Sequence, residues 1–311
     1  MNISIVIPVF NEEGNISNLS LEISRLFLDS VYEWECIWVD DASSDLSWSE
    51  IKKLESPNKG IRLRSNSGQT TAIMAGINHS NFDYIITLDG DGQNDPSDIL
   101  KMIKIMESDL DIDLIQGYRV KRNDNLFTRR IPSQVANSIM RLITGHHVMD
   151  LGCSLRLFKK NLMKNLTLTG EMHRLFTLYL LDNGAKIFQT KVNHRKRLSG
   201  KSKYGLGRVL KLFIDVVLYK ALKIIFINPI YTFGKFALFG YIMGAGLIVA
   251  ALLLKVLSVK DYIDGTLIST AIIVTATSTL FIGLGLIAEM ITRVLTQNSS
   301  YHNYIVTDKH A

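Results

Sequence analysis

The last third of the chain contains two apolar runs without a charged side chain, residues 236–254 and 265–288. Each run is long enough to cross a hydrocarbon core ~30 Å thick as a helix that rises ~1.5 Å per residue. The alternative is two buried core helices, but such helices are usually shorter and carry a polar stripe. We therefore predict two transmembrane helices within residues 230–292, followed by a tail at 293–311.

The charged residues around these runs predict the orientation of the two spans. The connecting loop holds Lys255, Lys260, Asp261 and Asp264, whose formal charges cancel, whereas residues 208–235 are basic. Basic segments next to a span stay on the cytoplasmic side of the membrane. We therefore expect a multi-pass protein of the cell inner (plasma) membrane, with both termini and the domain at residues 1–204 in the cytoplasm.

Residues 205–229 combine apolar positions at helical spacing with interrupting lysine and arginine residues. This pattern is typical of a basic amphipathic helix that lies in the membrane interface. Asn228 followed by Pro229 predicts its end. Four glycines in the two spans would let the helices approach closely: Gly240, Gly244, Gly283 and Gly285.

Residues 1–204 show short apolar runs that alternate with amphipathic segments. The sequence predicts strands at 3–9, 35–39, 61–63, 84–88 and 114–117, and helices at 16–28, 47–54, 68–77 and 98–107. This alternation predicts an α/β domain with a doubly wound, mostly parallel sheet and helices on both faces. Ligands of such sheets bind beyond the carboxyl ends of the strands.

The cysteine content and the start of the chain also limit the possibilities. The chain has two cysteines, Cys36 and Cys153, so no disulfide framework is indicated and a reducing compartment fits. Met1 leads directly into the strand pattern ISIVIPVF. No cleavable signal peptide is therefore expected.

The strongest chemical signal is the sequence DGDGQ, which follows the fourth predicted strand. Its carboxylates, Asp89 and Asp91, can share a divalent cation that bridges the phosphates of a nucleoside diphosphate. Acidic turns at 10–13 and 40–45 follow the first two strands, where carboxylates can accept hydrogen bonds from a base and a ribose. Each turn taken alone is also explained by an ordinary exposed turn or by helix N-capping.

Together, the motifs resemble a known family. IPVFNEE, VDDASSD and LDGDGQNDP, in this order and spacing, resemble the family-2 glycosyltransferases with the GT-A fold. GYRVKR, MDLGCSLRLFKK, GEMHR and HRKRLSGKSKYG resemble the branch of that family that acts on polyisoprenyl phosphates. The resemblance extends over residues 3–293, and the combination of motifs is specific although each motif alone is not.

The resemblance implies a site for a nucleotide sugar and a divalent cation. The positions that hold the nucleoside are matched by Pro8, Phe10, Glu12, Val39 and Asp41. The donor-diphosphate positions are matched by Asp89, Gly90 and Asp91, and the ligands of a Mg²⁺ or Mn²⁺ ion by Asp89, Asp91 and Gln93. Basic residues that bind the donor phosphates are matched by Arg119, Arg197 and Lys203. Arg197 and Lys203 are also explained by a membrane-surface patch.

The resemblance also implies residues near the acceptor. Arg122, Arg129 and Arg130 lie in a polar stretch that relatives use as a flexible loop over the active site, although they also fit a solvated basic loop. Asp150 and Arg156 match a DxxxxxR element near the acceptor. The predicted catalytic residues are Asp91, Asp150, Arg156, Arg122 and Arg129.

Three further positions bear on the acceptor side. Many bacterial relatives carry an aspartate where this chain has Ser154, which leaves the use of a general base open. His173 and Arg174 match a helix beside the active site, and His173 is a secondary candidate.

The expected reaction is the inverting transfer of one sugar from a nucleotide sugar to undecaprenyl phosphate or another polyisoprenyl phosphate. The donor would be a UDP-hexose or a UDP-N-acetylhexosamine. The product would be a lipid-linked sugar donor for a cell-envelope glycan or for lipid A modification. The sequence leaves open the sugar, the choice of UDP or GDP, and the oligomeric state, although relatives often form homo-oligomers.

Three other functions fit parts of the sequence. A processive membrane polysaccharide synthase usually carries a Gln-x-x-Arg-Trp element, whereas the tryptophans here are Trp34, Trp38 and Trp48, all near the start of the chain. A catalytically inactive membrane scaffold is disfavoured by the intact acidic and basic motifs. Nucleic-acid binding is disfavoured because the basic clusters adjoin the membrane segments.

Overall fold

The computed structural model describes residues 1–119, 145–195 apart from 165, 167 and 169, 207–257, and 265–298. The side chains of 207–213, 226 and 295–298 are not part of that description. The chain divides into two compact units, and the boundary falls between Phe213 and Ile214. The first unit is an α/β domain, and the second consists of long helices.

A seven-stranded sheet forms the centre of the first unit, with the strand order β3-β2-β1-β4-β6-β5-β7. Its strands are β1 (Ile3–Val9), β2 (Trp34–Asp40), β3 (Asn58–Arg62), β4 (Tyr84–Thr87), β5 (Leu114–Arg119), β6 (Arg156–Lys159) and β7 (Ile187–Val192). Only β6 among them pairs antiparallel, with β4 on one side and β5 on the other. The remaining pairs are parallel, as the predicted fold class requires.

Within the described part of this unit, five helices cover the sheet: α1 (Ile16–Phe27), α2 (Ser47–Ile51), α3 (Gln69–Asn78), α4 (Asp98–Ser108) and α5 (Phe176–Asp182). Two 3₁₀ turns, Lys160–Met163 and Met172–Leu175, lie between β6 and α5. Because side chains alternate along a strand, Ile5 and Ile7 of β1 join one apolar cluster with α1 and α4. Val6 joins the cluster on the other face, with α3 and α5. The sheet is therefore buried on both faces, as predicted.

The structure differs from the prediction in the bounds of β3 and α2, and it contains elements that were not predicted, among them helix α5. Strand β3 starts at Asn58 and ends at Arg62, whereas the prediction placed it at 61–63. As an edge strand it is half exposed, so its hydrophobic pattern is weak. Helix α2 ends at Ile51, short of the predicted 54. Strands β6 and β7 were not predicted at all.

The second unit contains α7 (Pro229–Val256) and α8 (Gly265–Asn298). Both helices are long and apolar enough to cross a membrane, with mean hydropathies of 2.3 and 2.1. They expose most of their apolar surface: 22% and 17% of the residues in their most apolar windows are buried. A core helix of a soluble protein is mostly buried, so the exposure favours membrane spans.

Glycines bring α7 and α8 together. A Cβ at Gly240 would lie 2.0 Å from Oγ of Ser278, and a Cβ at Gly244 would lie 2.6 Å from Cγ2 of Thr275. At Gly285 it would lie 3.0 Å from Cβ of Phe233. These three glycines therefore allow close approach, as predicted. The prediction for Gly283 is wrong, because that position faces open space.

Helix α6 (Gly207–Ile227) precedes the two long helices and lies across the boundary between the units. From residue 214 onward, its exposed apolar side chains recur at helical spacing at Ile214, Val217, Leu218, Leu222 and Ile224. Its lysines, Lys220 and Lys223, project from the opposite side of the helical wheel. Val216 and Tyr219 are buried and lie on the same side as the lysines. That side is therefore not a purely polar face, and the amphipathic interface helix stays a prediction.

Candidate active site

The loops after β1, β2 and β4 meet at one edge of the sheet. Val9 at the end of β1 pairs with Asp40 at the end of β2. On the other side of β1, the main chain of Leu88 donates a hydrogen bond to Val6. Because these strands are parallel, their carboxyl ends share an edge. The three acidic turns are therefore neighbours, as predicted.

Hydrogen bonds join the first two turns. The Asn11 main-chain N–H donates to Oγ of Ser43 at 3.0 Å, and the Ser44 N–H donates to Oδ1 of Asn11 at 2.9 Å. Asn11 and Ala42 adopt positive φ angles of 56° and 57°. Such angles are uncommon for residues other than glycine, so these cross-links hold the turns in an unusual conformation.

Asp41, predicted to bind the nucleoside, is buried and holds the start of α3. Its Oδ1 accepts the main-chain N–H of Ser67 at 2.7 Å, and its Oδ2 accepts that of Gly68 at 2.8 Å. Each carboxylate oxygen can accept a further bond. Asp41 can therefore both shape this edge and contact a ligand.

The other predicted nucleoside residues surround the same turns. Phe10 is 39% exposed, whereas Val39 is fully buried in β2. The main-chain N–H of Glu12 donates to Oγ of Ser47, and its carboxylate accepts a hydrogen bond from Asn15 at 2.6 Å. Pro8 is half-buried. Of the five, Phe10 offers the most surface to a base.

Asp89 and Asp91 follow β4 at the centre of the edge. The Gln69 amide donates to Oδ1 of Asp89 at 2.8 Å. Burial and then the charge of Asp91 raise the pKa of Asp89, against a hydrogen bond from Ser154 and attraction to Arg156 and His173. The two carboxylates therefore repel each other in a partly desolvated site.

Gly90 and Gln93 shape the main chain around this pair. A Cβ at Gly90 would lie 3.1 Å from the carbonyl oxygen of Pro8, so a larger residue would separate the two turns. The Gln93 main-chain N–H donates to Oδ1 of Asp91 at 3.1 Å. Among the described residues, no group of three His, Cys, Asp or Glu side chains could hold a metal ion. The acidic donors of the predicted metal site are therefore the two carboxylates, and Gln93 stays a predicted third ligand.

Arg119 and Asp150 form a bidentate ion pair. Nε of Arg119 lies 2.7 Å from Oδ2 of Asp150, and Nη2 lies 2.9 Å from Oδ1. Burial alone would raise the pKa of Asp150, but the bonds and charge of Arg119 outweigh it and hold this pKa below its ordinary value. The structure therefore joins one predicted donor-side residue to one predicted acceptor-side residue.

Arg156 opens β6 and is 3% exposed. Its Nε donates to Gln116 at 3.0 Å and to Thr177 at 3.1 Å, and Nη2 donates to the carbonyl of Leu151 at 3.2 Å. Its guanidinium also lies 5.3 Å from the ring centroid of Phe176. All of these partners are neutral, so the positive charge acts on the site around Asp89.

His173 contacts the start of α3. Its Nδ1 lies 2.9 Å from Oγ1 of Thr70, whose hydroxyl also accepts the His173 main-chain N–H. Arg174 forms an ion pair with Glu171 at 2.7 Å. The 3₁₀ turn Met172–Leu175 is thereby held against the same edge as Asp89.

Arg195, the second residue of the motif HRKRLSGKSKYG, connects two parts of the domain. Its guanidinium contacts Glu22 at 2.6 Å and Asp95 at 2.8 Å. Its main-chain N–H donates to the carbonyl of Gln93 at 2.7 Å. These contacts tie the segment after β7 to the turn that follows Asp91.

Four predicted site residues lie outside the described residues: Arg122, Arg129, Arg197 and Lys203. Four residues that were not predicted contact the predicted site residues: Gln69, Thr70, Gln116 and Thr177. Each contacts a predicted residue that is at least 20 positions away in the chain. Such contacts depend on the fold and leave no local pattern.

Comparison with known proteins gives consistent results. A family model described as glycosyl transferase family 2 matches residues 4–167. A dodecaprenyl-phosphate galacturonate synthase from Rhizobium johnstonii is 34% identical, over 98% of this chain and 92% of its own length. An undecaprenyl-phosphate 4-deoxy-4-formamido-L-arabinose transferase from Edwardsiella ictaluri is 30% identical, over 98% and 93%.

Solved structures show the same architecture. Glucosyl-3-phosphoglycerate synthase from Mycobacterium tuberculosis, crystallised with Mn²⁺, UDP and glucosyl-3-phosphoglycerate, superposes with a TM-score of 0.55 at 18% identity. The match covers 70% of this chain and 79% of that one. Mannosyl-3-phosphoglycerate synthase from Rubrobacter xylanophilus gives 0.57 at 12% identity, over 72% and 74%. At this level of identity the likeness establishes the fold, and the predicted GT-A fold is confirmed.

Proposed function

Since the chain belongs to glycosyl transferase family 2, we propose that it transfers one sugar from a nucleotide sugar to a polyisoprenyl phosphate. The observation that carries the proposal is the meeting of Asp89, Asp91 and Asp41 at the carboxyl edge of the sheet. The two relatives matched along nearly their full length are named for dodecaprenyl and undecaprenyl phosphate. The two apolar helices fit an acceptor that stays in the bilayer.

The pair of carboxylates fits a divalent cation. Mg²⁺ is usually held by one or two carboxylates together with substrate phosphates and water. Burial first, and then repulsion from Asp91, raise the pKa of Asp89, and a bound cation would relieve that repulsion. Related structures contain Mn²⁺ or Mg²⁺ together with UDP. A bound ion would neutralise charge on the leaving diphosphate.

Arg156 supplies a fixed positive charge in the same site. Its buried guanidinium is held by neutral groups, so its charge remains available to anionic substrates. Arg119 is held in one orientation by Asp150, which suits a residue that positions a phosphate. Arg122, Arg129, Arg197 and Lys203 complete the proposed set of cations for the donor diphosphate and the lipid phosphate.

The acceptor needs little activation by the protein. A phosphate monoester has a second pKa of about 6 and is largely dianionic near neutral pH. Asp150 is a weak base, because Arg119 lowers its pKa, and position 154 is a serine. We therefore propose direct attack of the lipid phosphate on the anomeric carbon, with inversion and without a dedicated general base.

The membrane segments indicate where in the cell the reaction would occur. We propose that α7 and α8 span the inner membrane and that α6 lies at its cytoplasmic surface, where its lysines meet anionic headgroups. The catalytic domain and both termini would then be cytoplasmic, where nucleotide sugars are available. The boundaries proposed from the sequence remain 1–204, 205–229, 230–292 and 293–311.

A transfer assay tests the proposal. Membranes that contain the full-length chain are incubated with undecaprenyl phosphate and a panel of radiolabelled nucleotide sugars. The panel includes UDP-glucose, UDP-N-acetylglucosamine, UDP-galacturonate, UDP-4-deoxy-4-formamido-L-arabinose and GDP-mannose. Label from at least one donor should enter the organic phase, and mass spectrometry of that product identifies the sugar. If no donor labels the lipid, the proposed acceptor is wrong.

Asp91→Ala should reduce this transfer at least about 10³-fold, which corresponds to ~4 kcal/mol of transition-state stabilisation. The expected cause is loss of the cation site. Asp109→Ala, which changes a surface aspartate beyond α4, is the matched control and should leave transfer unchanged. Near-normal turnover by Asp91→Ala would refute the proposed metal site.

A further inference from the structure

Gln69 lies between the two acidic sites, in the first turn of α3. The main-chain N–H groups of Ser67 and Gly68 donate to Asp41. The side-chain amide of the next residue, Gln69, donates to Oδ1 of Asp89 at 2.8 Å. Ser67 and Gly68 thus contact the carboxylate proposed to bind the nucleoside. Gln69, the next residue, contacts one of the two carboxylates proposed to bind the metal.

Asp89 also accepts a hydrogen bond from a second neutral side chain. The donor is the hydroxyl of Ser154, just before β6. That hydroxyl in turn accepts from the amide of Asn94 at 2.8 Å. Gln69 and Ser154 are both neutral, so they orient the carboxylate and leave its charge for a cation. Carboxylates that bind metals are commonly oriented in this way by outer-shell donors.

The start of α3 is well suited to hold Gln69 in place. Gly68 has a φ of 88°, a conformation that favours glycine. Its own N–H and that of Ser67 are both fixed by Asp41. The next residue, Thr70, contacts His173 through its hydroxyl. The backbone around Gln69 is therefore anchored independently of the Gln69 side chain.

We propose that Gln69 is a positioning residue that orients Asp89 to bind the divalent cation. The inference rests on the proposed metal site. The proposed role belongs to the hydrogen bond from Gln69 to Asp89 alone. Removal of the Gln69 amide should therefore weaken metal binding and leave the folded domain intact. Outer-shell substitutions at metal sites typically cost about 10–100-fold in metal affinity.

Binding of Mn²⁺ tests the proposal without reliance on turnover. Full-length protein in detergent is titrated with Mn²⁺, alone and with UDP or GDP, and free Mn²⁺ is measured by electron paramagnetic resonance. Gln69→Met keeps an unbranched side chain of similar helix propensity but lacks the donor. We expect its Mn²⁺ dissociation constant to rise about 10–100-fold. Nucleotide affinity measured in EDTA should match the wild type.

Two controls separate a positioning role from a structural one. Gln189→Met makes the same substitution in β7, where the amide contacts the main chain of His147 and Met149; its Mn²⁺ affinity should be unchanged. Thermal unfolding is followed by tryptophan fluorescence, because Trp34, Trp38 and Trp48 all lie in the catalytic domain. Gln69→Met should unfold within about 2 °C of the wild type.

The outcomes are distinct. If the wild type binds Mn²⁺ and Gln69→Met binds it equally well, within about twofold, the role of Gln69 is refuted while the proposed function stands. If the wild type binds no Mn²⁺ under any condition, the proposed metal site fails and the inference fails with it. If Gln69→Met does not fold, Gln69→Ala is tested in its place, and loss of folding in both variants shows a structural role and overturns the proposal.

Discussion

Gly152 leaves room for the ion pair between Arg119 and Asp150. A Cβ at this position would lie 2.9 Å from Nη2 of Arg119 and 3.4 Å from Oδ1 of Asp150. The Gly152 main-chain N–H also donates to Oδ1 at 3.1 Å. Gly152→Ala should therefore displace the guanidinium and lower kcat up to about 100-fold, the cost of a misplacement near 1 Å. Transfer to undecaprenyl phosphate at saturating donor measures this effect.

Arg119→Lys provides the comparison, because lysine cannot form the bidentate contact. Since both substitutions disturb one ion pair, their effects in the double variant should be smaller than the sum of the single effects. Strict additivity would show that Gly152 acts on something other than the pair. If kcat is unchanged in Gly152→Ala, transfer does not depend on the observed geometry of the ion pair between Arg119 and Asp150.

Glu35 is a buried charge far from the acidic edge, at the start of β2. It accepts hydrogen bonds from Ser4, Lys59 and the main-chain N–H of Asn81. Burial alone would raise its pKa, but the bonds from Asn81, Lys59 and Ser4 outweigh burial and hold the pKa below the ordinary value of 4.5. The charged form therefore stabilises the folded domain.

The sign of this effect predicts a pH dependence. A depressed carboxyl pKa adds stability that is fully present above the unfolded-state pKa and is lost as the pH falls through the folded-state pKa. Glu35→Gln should therefore unfold at a lower temperature than the wild type at pH 7, and the gap should narrow below about pH 4.5. Tryptophan fluorescence of both proteins between pH 3.5 and 7 measures the gap. A gap that is constant with pH would contradict the assignment.

At the scale of elements, glycines determine how α7 and α8 pack. Gly240 lies against Ser278, whereas Gly283 faces open space on α8. Gly240→Val should overpack the contact and destabilise the helix pair by about 1–3 kcal/mol. Gly283→Val is the matched control and should have little effect. Size-exclusion chromatography after heating in detergent compares the two, and equal losses of monodisperse protein would disprove this packing.

The predictable elements are those with strong local patterns. Strands β1, β2 and β4 are apolar and buried, and the amphipathic helices α1 and α4 repeat every three to four residues. Strand β6 has only four residues, and it is stabilised by pairing with β4 and β5 on either side. The sequence of a short strand carries no pattern that indicates which distant strands it pairs with. In β7, the β-branched and aromatic residues of IFQTKV were a usable signal.

The same distinction applies to the site. Asp89, Asp91 and Asp41 could be predicted because each stands where a strand ends, and parallel strands bring those ends together. The pairing of Arg119 with Asp150 and the contact of Gln69 with Asp89 could not. They depend on side-chain directions in segments that meet only in the folded domain.

For the whole molecule, the proposed topology can be tested with the protein's own cysteines in place. Cys36 and Cys153 are both buried, and burial raises the pKa of Cys153 to about 11. Neither thiol should react with a maleimide in the folded protein. Single cysteines introduced elsewhere can therefore be detected against a low background.

Ser258→Cys lies between the two spans and Ser300→Cys lies in the tail. With both termini in the cytoplasm, a membrane-impermeant maleimide added to intact bacterial cells should label Ser258→Cys. Ser300→Cys should react only after lysis. The unsubstituted protein sets the background. The reverse pattern, or labelling of both positions in intact cells, would exclude the proposed orientation.

The ion pair between Arg119 and Asp150 joins two positions that are 31 residues apart in the chain. It fixes the exit from β5 and the approach to β6, whatever sequence lies between them. Closing a longer loop costs little, only about 0.6 kcal/mol for each doubling of its length. Insertions and substitutions in the intervening stretch that spare Arg122 and Arg129 can therefore accumulate during evolution while Arg119 and Arg156 keep their places. New preferences for a sugar or a carrier lipid can arise there without a new catalytic apparatus.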